Sequence, residues 1–441
     1  MQIDHQDQHM QEVLTEVATY PLLSALFGRR ARRFGLGMSI PDGPFAYTSQ
    51  YEPVPLNELE RTLLVLGGTG ISGWHFGIEQ TSSGDPEKGC NYPIRLTGRT
   101  SPSSAGMEAS ELIFTDENGT YMTQFRDLDP ERQRPLAQLS DLETLVSSVK
   151  RQCVQLLPGR VQLPAQVPYL SAHNLWNTNR PGTTVFAPII DLAQMTLNMI
   201  FISLMNKTIL VDPQQNRTCG NLQRYIHRGL LDENRQISLF DLERNTFADA
   251  CTEMAIIGQN ILLMLQAIGL GGWLHTGING NSFLGADADK GIPGVGFLFT
   301  RHPTWTQPNP VGLGVYFEGH CPPYYQDMRA AVEHLVLLKF GQRGTFDPQR
   351  PGPFRENASV KTAVERYSSE MIECAGEITQ YIYETYGKFP ATTPSVYCNI
   401  FVQAHHLDMD FYDQFYSSDA YLETHRQHFE KWHGKGEERM T

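Results

Sequence analysis

Positive charge is scarce in this sequence. Its 35 Lys and Arg against 48 Asp and Glu leave a formal net charge of −13 over 441 residues, and affinity for a phosphate backbone needs the opposite surplus. That excludes a general nucleic-acid binder, so any basic cluster must be a local feature. Cysteine pairing motifs are also missing: Cys90, Cys153, Cys219, Cys251, Cys321, Cys374 and Cys398 form no Cys-x-x-Cys pair. An odd, scattered set of this kind suits reduced thiols, and a cytoplasmic location is expected. The N-terminus MQIDHQDQHMQEV has no basic segment followed by an apolar one, so no secretory signal is expected. Uninterrupted apolar runs are absent as well. The stretch 186–205 contains Asp191, Gln194 and Asn198, and the stretch 254–270 contains Gln259, Asn260 and Gln266. Such residues are expensive in lipid and ordinary in a buried or interface helix, so no membrane partner is expected.

What is present is a globular balance, 40% hydrophobic and 19% charged, with 38 Gly and 27 Pro spread along the chain. The length exceeds the roughly 100–200 residues of an ordinary domain, so two domains or one core with large insertions should be found. A helix is expected near 10–27. Pro55 and Asn57 open a second, with Leu59, Leu63, Leu64 and Leu66 at helical spacing and Gly67, Gly68 and Gly70 at its end. ASELIFTDENGTYM reads as a hairpin turning at Asp116 to Gly119. The stretches 127–182 and 211–240 show weak periodicity and read as insertions or a cap. TFADACTEMAIIGQNILLMLQAIGLGGW is the clearest helix, with Thr246 as its expected N-cap and Gly269 near its stop. Beyond it, GVGFLFT (294–300) reads as a buried strand and YQDMRAAVEHLVLLKFG as a helix. A longer helix is expected from a Ser359 cap to Gly387.

Three features could carry chemistry. Arg29, Arg30, Arg32 and Arg33 fall within five positions, and forked guanidinium groups suit a phosphorylated cofactor, although a solvated basic patch has the same composition. The loop Pro102-Ser103-Ser104-Ala105-Gly106 has small side chains that let backbone amides and hydroxyls approach a planar ligand, or it is simply a turn. Gln259 and Asn260 lie inside an apolar helix, followed by Gly269-Leu270-Gly271-Gly272-Trp273 and His275-Thr276-Gly277. Buried amides need partners, which neighbouring helices, a subunit interface or a ligand could supply.

Taken in order, these pieces resemble the nitroreductase superfamily. The chain has an RRSxR-like start, a Leu-rich helix, a Pro-Ser-Ser-Ala-Gly loop before a hairpin, and a QNxLLxxxxxGLGxxW helix. RTSPSSAGMEASELIFTDENGTYM is similar to the SagB-type, peptide-tailoring branch, and the matched segments span about 29–126 and 248–300. The resemblance implies an α+β, nitroreductase-like FMN-binding fold, with a central, mainly antiparallel sheet flanked by helices, in an intertwined homodimer with flavin at the interface. It divides the chain into an N-terminal core part (1–126), an insertion or cap (127–245), a second core part (246–345) and a helical C-terminal extension (346–441). It also implies cofactor-binding roles. Arg29 and Arg33, with Arg30 between them, fall at the FMN phosphate, and Ala31 replaces the usual hydroxyl residue. Ser103 and Ser104 fall at the flavin, Gln259 in the adjoining helix, Thr276 and Gly277 at the reactive edge, and Arg301 at the late basic position.

The implied activity is hydride transfer through flavin N5 between NADH or NADPH and a small organic or peptide substrate. One alternative is a tailoring dehydrogenase that oxidises a peptide or biosynthetic intermediate, with oxygen reoxidising the flavin. The azoline-oxidising branch relies on a Lys-Tyr pair, and this chain has no such dipeptide. A second alternative is a non-catalytic binding protein on the same fold. Tyr47, His275 and Tyr397 could each donate a proton or simply pack, and no catalytic side chain is singled out. His405, His406, Asp408, Asp410, Asp413, His425, His428 and His433 crowd the C-terminal segment. His425 and His428 would share a helix face, but ligand geometry cannot be read from spacing, so no metal site is expected.

Overall fold

The computed structural model describes residues 5–78, 95–126, 142–417 and 419–433. Cys90 and part of the expected 127–245 segment lie outside that description. The other six cysteines are unpaired.

A seven-stranded sheet organises the chain. In chain order its strands are β1 (Ser110–Asp116), β2 (Gly119–Thr123), β3 (Cys153–Leu157), β4 (Thr184–Asp191), β5 (Gly271–His275), β6 (Val396–Tyr397) and β7 (Phe401–His405). The spatial order is β5-β7-β4-β1-β2-β3, with β6 also on β4, and every pairing is antiparallel. The β1–β2 hairpin turns at Glu117-Asn118, where Asp116 Oδ1 accepts the Asn118 N–H at 2.9 Å. β4 lies between β1 and β7 with all eight residues buried, so the segment read as an insertion supplies a central strand. A strand covered on both faces shows no period-2 alternation, which is why the apolar stretch from 186 onward could be taken for a buried helix when its first residues belong to a strand.

The helices that matter for the site are α1 (Leu22–Gly28), α2 (Glu58–Thr69), α3 (Leu192–Met205) and α4 (Leu239–Ile268). The helix expected over 10–27 is two helices, His5–Thr19 and α1, separated at Tyr20-Pro21, because proline lacks the N–H that would continue the ladder. α2 starts on a capping box: Asn57 Oδ1 accepts the Glu60 N–H and Glu60 Oε2 accepts the Asn57 N–H. Leu63, Leu64 and Val65 are wholly buried against α4 and the sheet, each stabilising by roughly 1.5–3 kcal/mol. Gly68 allows the close approach: a Cβ there would lie 2.8 Å from Ile261 of α4.

α4 begins earlier than expected. Ser238 is its N-cap, while Thr246 lies mid-helix with its hydroxyl donating to the Leu242 carbonyl at 2.8 Å. Gly269, at φ 91°, ends it in the left-handed conformation. α4 is the one helix among the described residues long and apolar enough to cross a bilayer, and half of its apolar window is buried within this chain. Two other expectations change. The strand at 294–300 shrinks to Leu298–Thr300 in a separate three-stranded sheet, with Leu298 exposed, because Gly294 and Gly296 take positive φ and stop pairing before it. The Ser359–Gly387 helix is two helices, Asn357–Ala363 and Ser369–Tyr386, the second restarted by a Ser368 cap on the Met371 N–H at 3.1 Å.

Candidate functional site

The arginine-rich segment lies along β5, where Arg32 makes an antiparallel bridge to Gly272. Extended backbone sends successive side chains to opposite sides, and Arg32 and Arg33 divide accordingly, one buried and one exposed. Arg32 points inward and is buried, donating to Gln266 Oε1 at 2.9 Å and the Ala420 carbonyl at 2.8 Å. Burial lowers its pKa to about 10. Arg30 donates to the carbonyls of Phe27 and Arg29, both at 2.8 Å. Arg29 and Arg33 make no side-chain hydrogen bond or ion pair among the described residues, and Arg33 is exposed with its guanidinium carbon 5.6 Å from the Trp273 ring centroid.

Beneath Arg33 lies a buried polar patch. The Trp273 and His275 rings stack at 5.1 Å. Burial, and then the Arg33 charge, lowers the His275 pKa to about 4. His275 Nδ1 accepts the Gly277 N–H at 3.1 Å, which places the proton of the neutral ring on Nε2. That Nε2 and the Trp273 Nε1 are buried without a hydrogen-bond partner. Asn174 adjoins them: a Cβ on Gly277 would lie 2.4 Å from its Nδ2. Buried donors left unused cost about 1–3 kcal/mol each. Sequence reasoning named Arg33, Trp273, His275, Thr276 and Gly277 but missed Asn174, whose burial no local pattern signals.

Thr276 and Gly277 also line a cleft of about 1000 Å³, with Asn279, Trp305, Lys388 and Tyr397 on its walls. Its volume suits a drug-sized or cofactor-sized ligand. Arg29, Arg30, Arg33, Ser103, Ser104, Gln259 and Arg301 are not on that wall. The serine loop is fastened to α4 instead: Ser104 donates to Asp249 Oδ1 at 2.8 Å, and Asn260 Nδ2 donates to the Thr100 carbonyl at 3.0 Å. Ser103 accepts the Met107 N–H at 3.2 Å, closing its own turn. Gln259 is half-buried on α4. Arg301 donates to the Ala286 carbonyl. One chain therefore joins the arginine segment to the β5 end and the serine loop to α4, while Arg301 stands apart from both.

No protein-family description and no curated protein matches this chain. A solved chain from Ralstonia eutropha JMP134, named a "putative nitroreductase", aligns with 59% of this chain and 72% of its own length, at 12% identity and a TM-score of 0.26. That score is too low to carry an argument about the site.

Proposed function

We propose that this chain is an FMN-dependent oxidoreductase of nitroreductase-like fold that works as a homodimer. It would take electrons from NADH or NADPH and pass them to a small organic or peptide substrate. The observation that carries the reading is the meeting of Arg33 with the Trp273–His275 patch, two parts of the resemblance that lie about 240 residues apart in sequence. The guanidinium of Arg33 beside two unused N–H donors, with that of Arg29 four residues earlier in the chain, suits a ligand with a phosphate and an acceptor-rich ring edge. FMN is such a ligand, and when bound it supplies hydride acceptance and return. The chain contributes binding and orientation: Arg29 and Arg33 on the phosphate, Thr276 and Gly277 along the ring.

The serine loop and Gln259 would reach the same flavin from the partner subunit. The surface for that pairing is apolar and exposed: Leu22, Leu23 and Phe27 on α1, which packs on α4, and Leu274 on β5. Anaerobic titration of the flavin-loaded protein with NADH and NADPH tests the reading. Bleaching of the flavin bands is expected with one of them. Bound flavin that neither nucleotide bleaches would favour the substrate-oxidising dehydrogenase, and a chain that takes up no FMN would contradict both.

A further inference from the structure

Four side chains that the flavin reading does not use meet at the start of α2. Glu60 is fully buried, and its Oε2 accepts the Asn57 N–H at 2.6 Å. Its other oxygen, Oε1, faces His428 Nε2 at 2.9 Å, His433 Nε2 at 3.1 Å and His406 Nε2 at 3.3 Å. His406 follows β7. His428 and His433 belong to a C-terminal segment in which Glu423–Arg426 and His428–Trp432 are separate short helices, so the shared helix face expected for His425 and His428 does not form.

Two of these rings have their tautomers fixed from behind. His406 Nδ1 is 2.9 Å from the Val54 carbonyl, and His428 Nδ1 is 2.9 Å from the Ile268 carbonyl. A carbonyl only accepts, so each Nδ1 carries the hydrogen, and each neutral ring presents an Nε2 lone pair to an oxygen that has only lone pairs. His428 Nε2 is buried and faces the Glu60 oxygen at 2.9 Å. Charging the rings instead would bury several cations around one carboxylate oxygen, at a cost of several kcal/mol per ion. A metal ion at the point of convergence satisfies every one of these atoms. The Nδ1–H to carbonyl bond is also the outer-shell contact that orients a metal-binding histidine.

We propose that Glu60, His406, His428 and His433 bind one divalent transition-metal ion of the Zn²⁺ class. The four donor atoms lie within 4.8 Å of one another, and tetrahedral bonds of about 2.0–2.1 Å need ligand separations of roughly 3.3 Å. The Glu60-to-ring distances of 2.9–3.3 Å already match that separation, and ring nitrogens lying further apart, up to 4.8 Å, would close on the ion. Three imidazoles and a carboxylate fill four positions, which leaves no open site and gives the ion a structural role. It fastens the C-terminal segment to α2 and to the end of β7, enclosed by the Phe429 and Trp432 rings. This inference does not depend on flavin binding.

The full-length chain purified from zinc-supplemented medium should hold one Zn²⁺, and after chelation Co²⁺ should restore one equivalent with the intense visible bands of four-coordinate cobalt. Glu60→Gln keeps the capping acceptor and His433→Ala removes the outermost ligand. Each should weaken Co²⁺ binding by more than the roughly 10–100-fold that loss of an outer-shell partner causes. A wild-type chain with neither zinc nor a cobalt spectrum would overturn the proposal, as would unchanged binding in the folded double variant. Should the variants fail to fold, cadmium NMR of the wild-type chain reads the donors directly: a nitrogen-rich shift supports the assignment and an all-oxygen shift refutes it.

Discussion

Removing the charge from Arg29 and Arg33 should separate phosphate recognition from ring recognition. Neither guanidinium has an ion pair or hydrogen bond within the described chain, so Arg29→Ala and Arg33→Ala break no internal contact beyond the Arg33–Trp273 cation–π approach. Each lost charge-assisted contact to phosphate is worth about 1.5–3 kcal/mol. Together they amount to about 3–6 kcal/mol, or roughly 10²–10⁴-fold in Kd. The assay is calorimetric titration of the apoprotein with FMN and, in parallel, with riboflavin, which has the same ring and no phosphate. The double variant should lose FMN affinity by that factor and bind riboflavin as the wild type does. Arg30→Ala serves as the control, because its guanidinium already caps the Phe27 and Arg29 carbonyls, and it should cost about tenfold at most. Equal losses for both ligands, or unchanged FMN affinity, would refute the placement of the phosphate.

Other expected outcomes concern titration and stability. His275 should titrate near 4 by NMR in the folded wild type and move upward in Arg33→Ala, since removing a neighbouring cation favours the imidazolium; no movement would place Arg33 away from the ring. Burial raises the Glu108 pKa to about 7, so the protonated side chain contributes stability that is complete below its unfolded value and lost as pH rises through 7. Relative to Glu108→Gln, wild-type stability should fall by on the order of 3 kcal/mol between pH 4.5 and 7.5, and parallel pH profiles in urea unfolding would contradict this. Asp191, fully buried, accepts from Arg126 at 3.2 Å, from His320 Nδ1 at 2.8 Å and, as the cap of α3, from the Gln194 N–H at 2.9 Å. Asp191→Ala removes the carboxylate that Arg126, His320 and the α3 cap share and should cost about 3–5 kcal/mol in urea unfolding; a loss below about 1 kcal/mol would contradict that shared role.

Local signals were legible in the sequence where the determinants are local. Asn57 before a Leu-rich run, the Asp116–Gly119 turn and Gly269 after an apolar helix each specify backbone geometry over a few residues, and each forms as read. Thr246 failed as a cap because the residues before it continue the helix back to Ser238. β4 failed to declare itself because its neighbours, not its own pattern, bury both faces. Half of the candidate site follows the same rule. The arginines and the Thr276-Gly277 turn could be named from spacing, but the inward direction of Arg32 depends on a bridge to Gly272 formed across the fold. The convergence of Glu60 on three histidines was illegible for a related reason. Asn57-x-x-Glu60 could be read as a capping box, yet only tertiary packing brings His406, His428 and His433 to the oxygen that the cap leaves over.

The central claim is that this fold holds a flavin between Arg33 and the end of β5. Its most direct test is the absorbance spectrum of the full-length chain as purified, with mass identification of whatever heat or acid releases. The account predicts a yellow protein carrying FMN in proportion to chain. A colourless protein that remains colourless after incubation with excess FMN and desalting would contradict it.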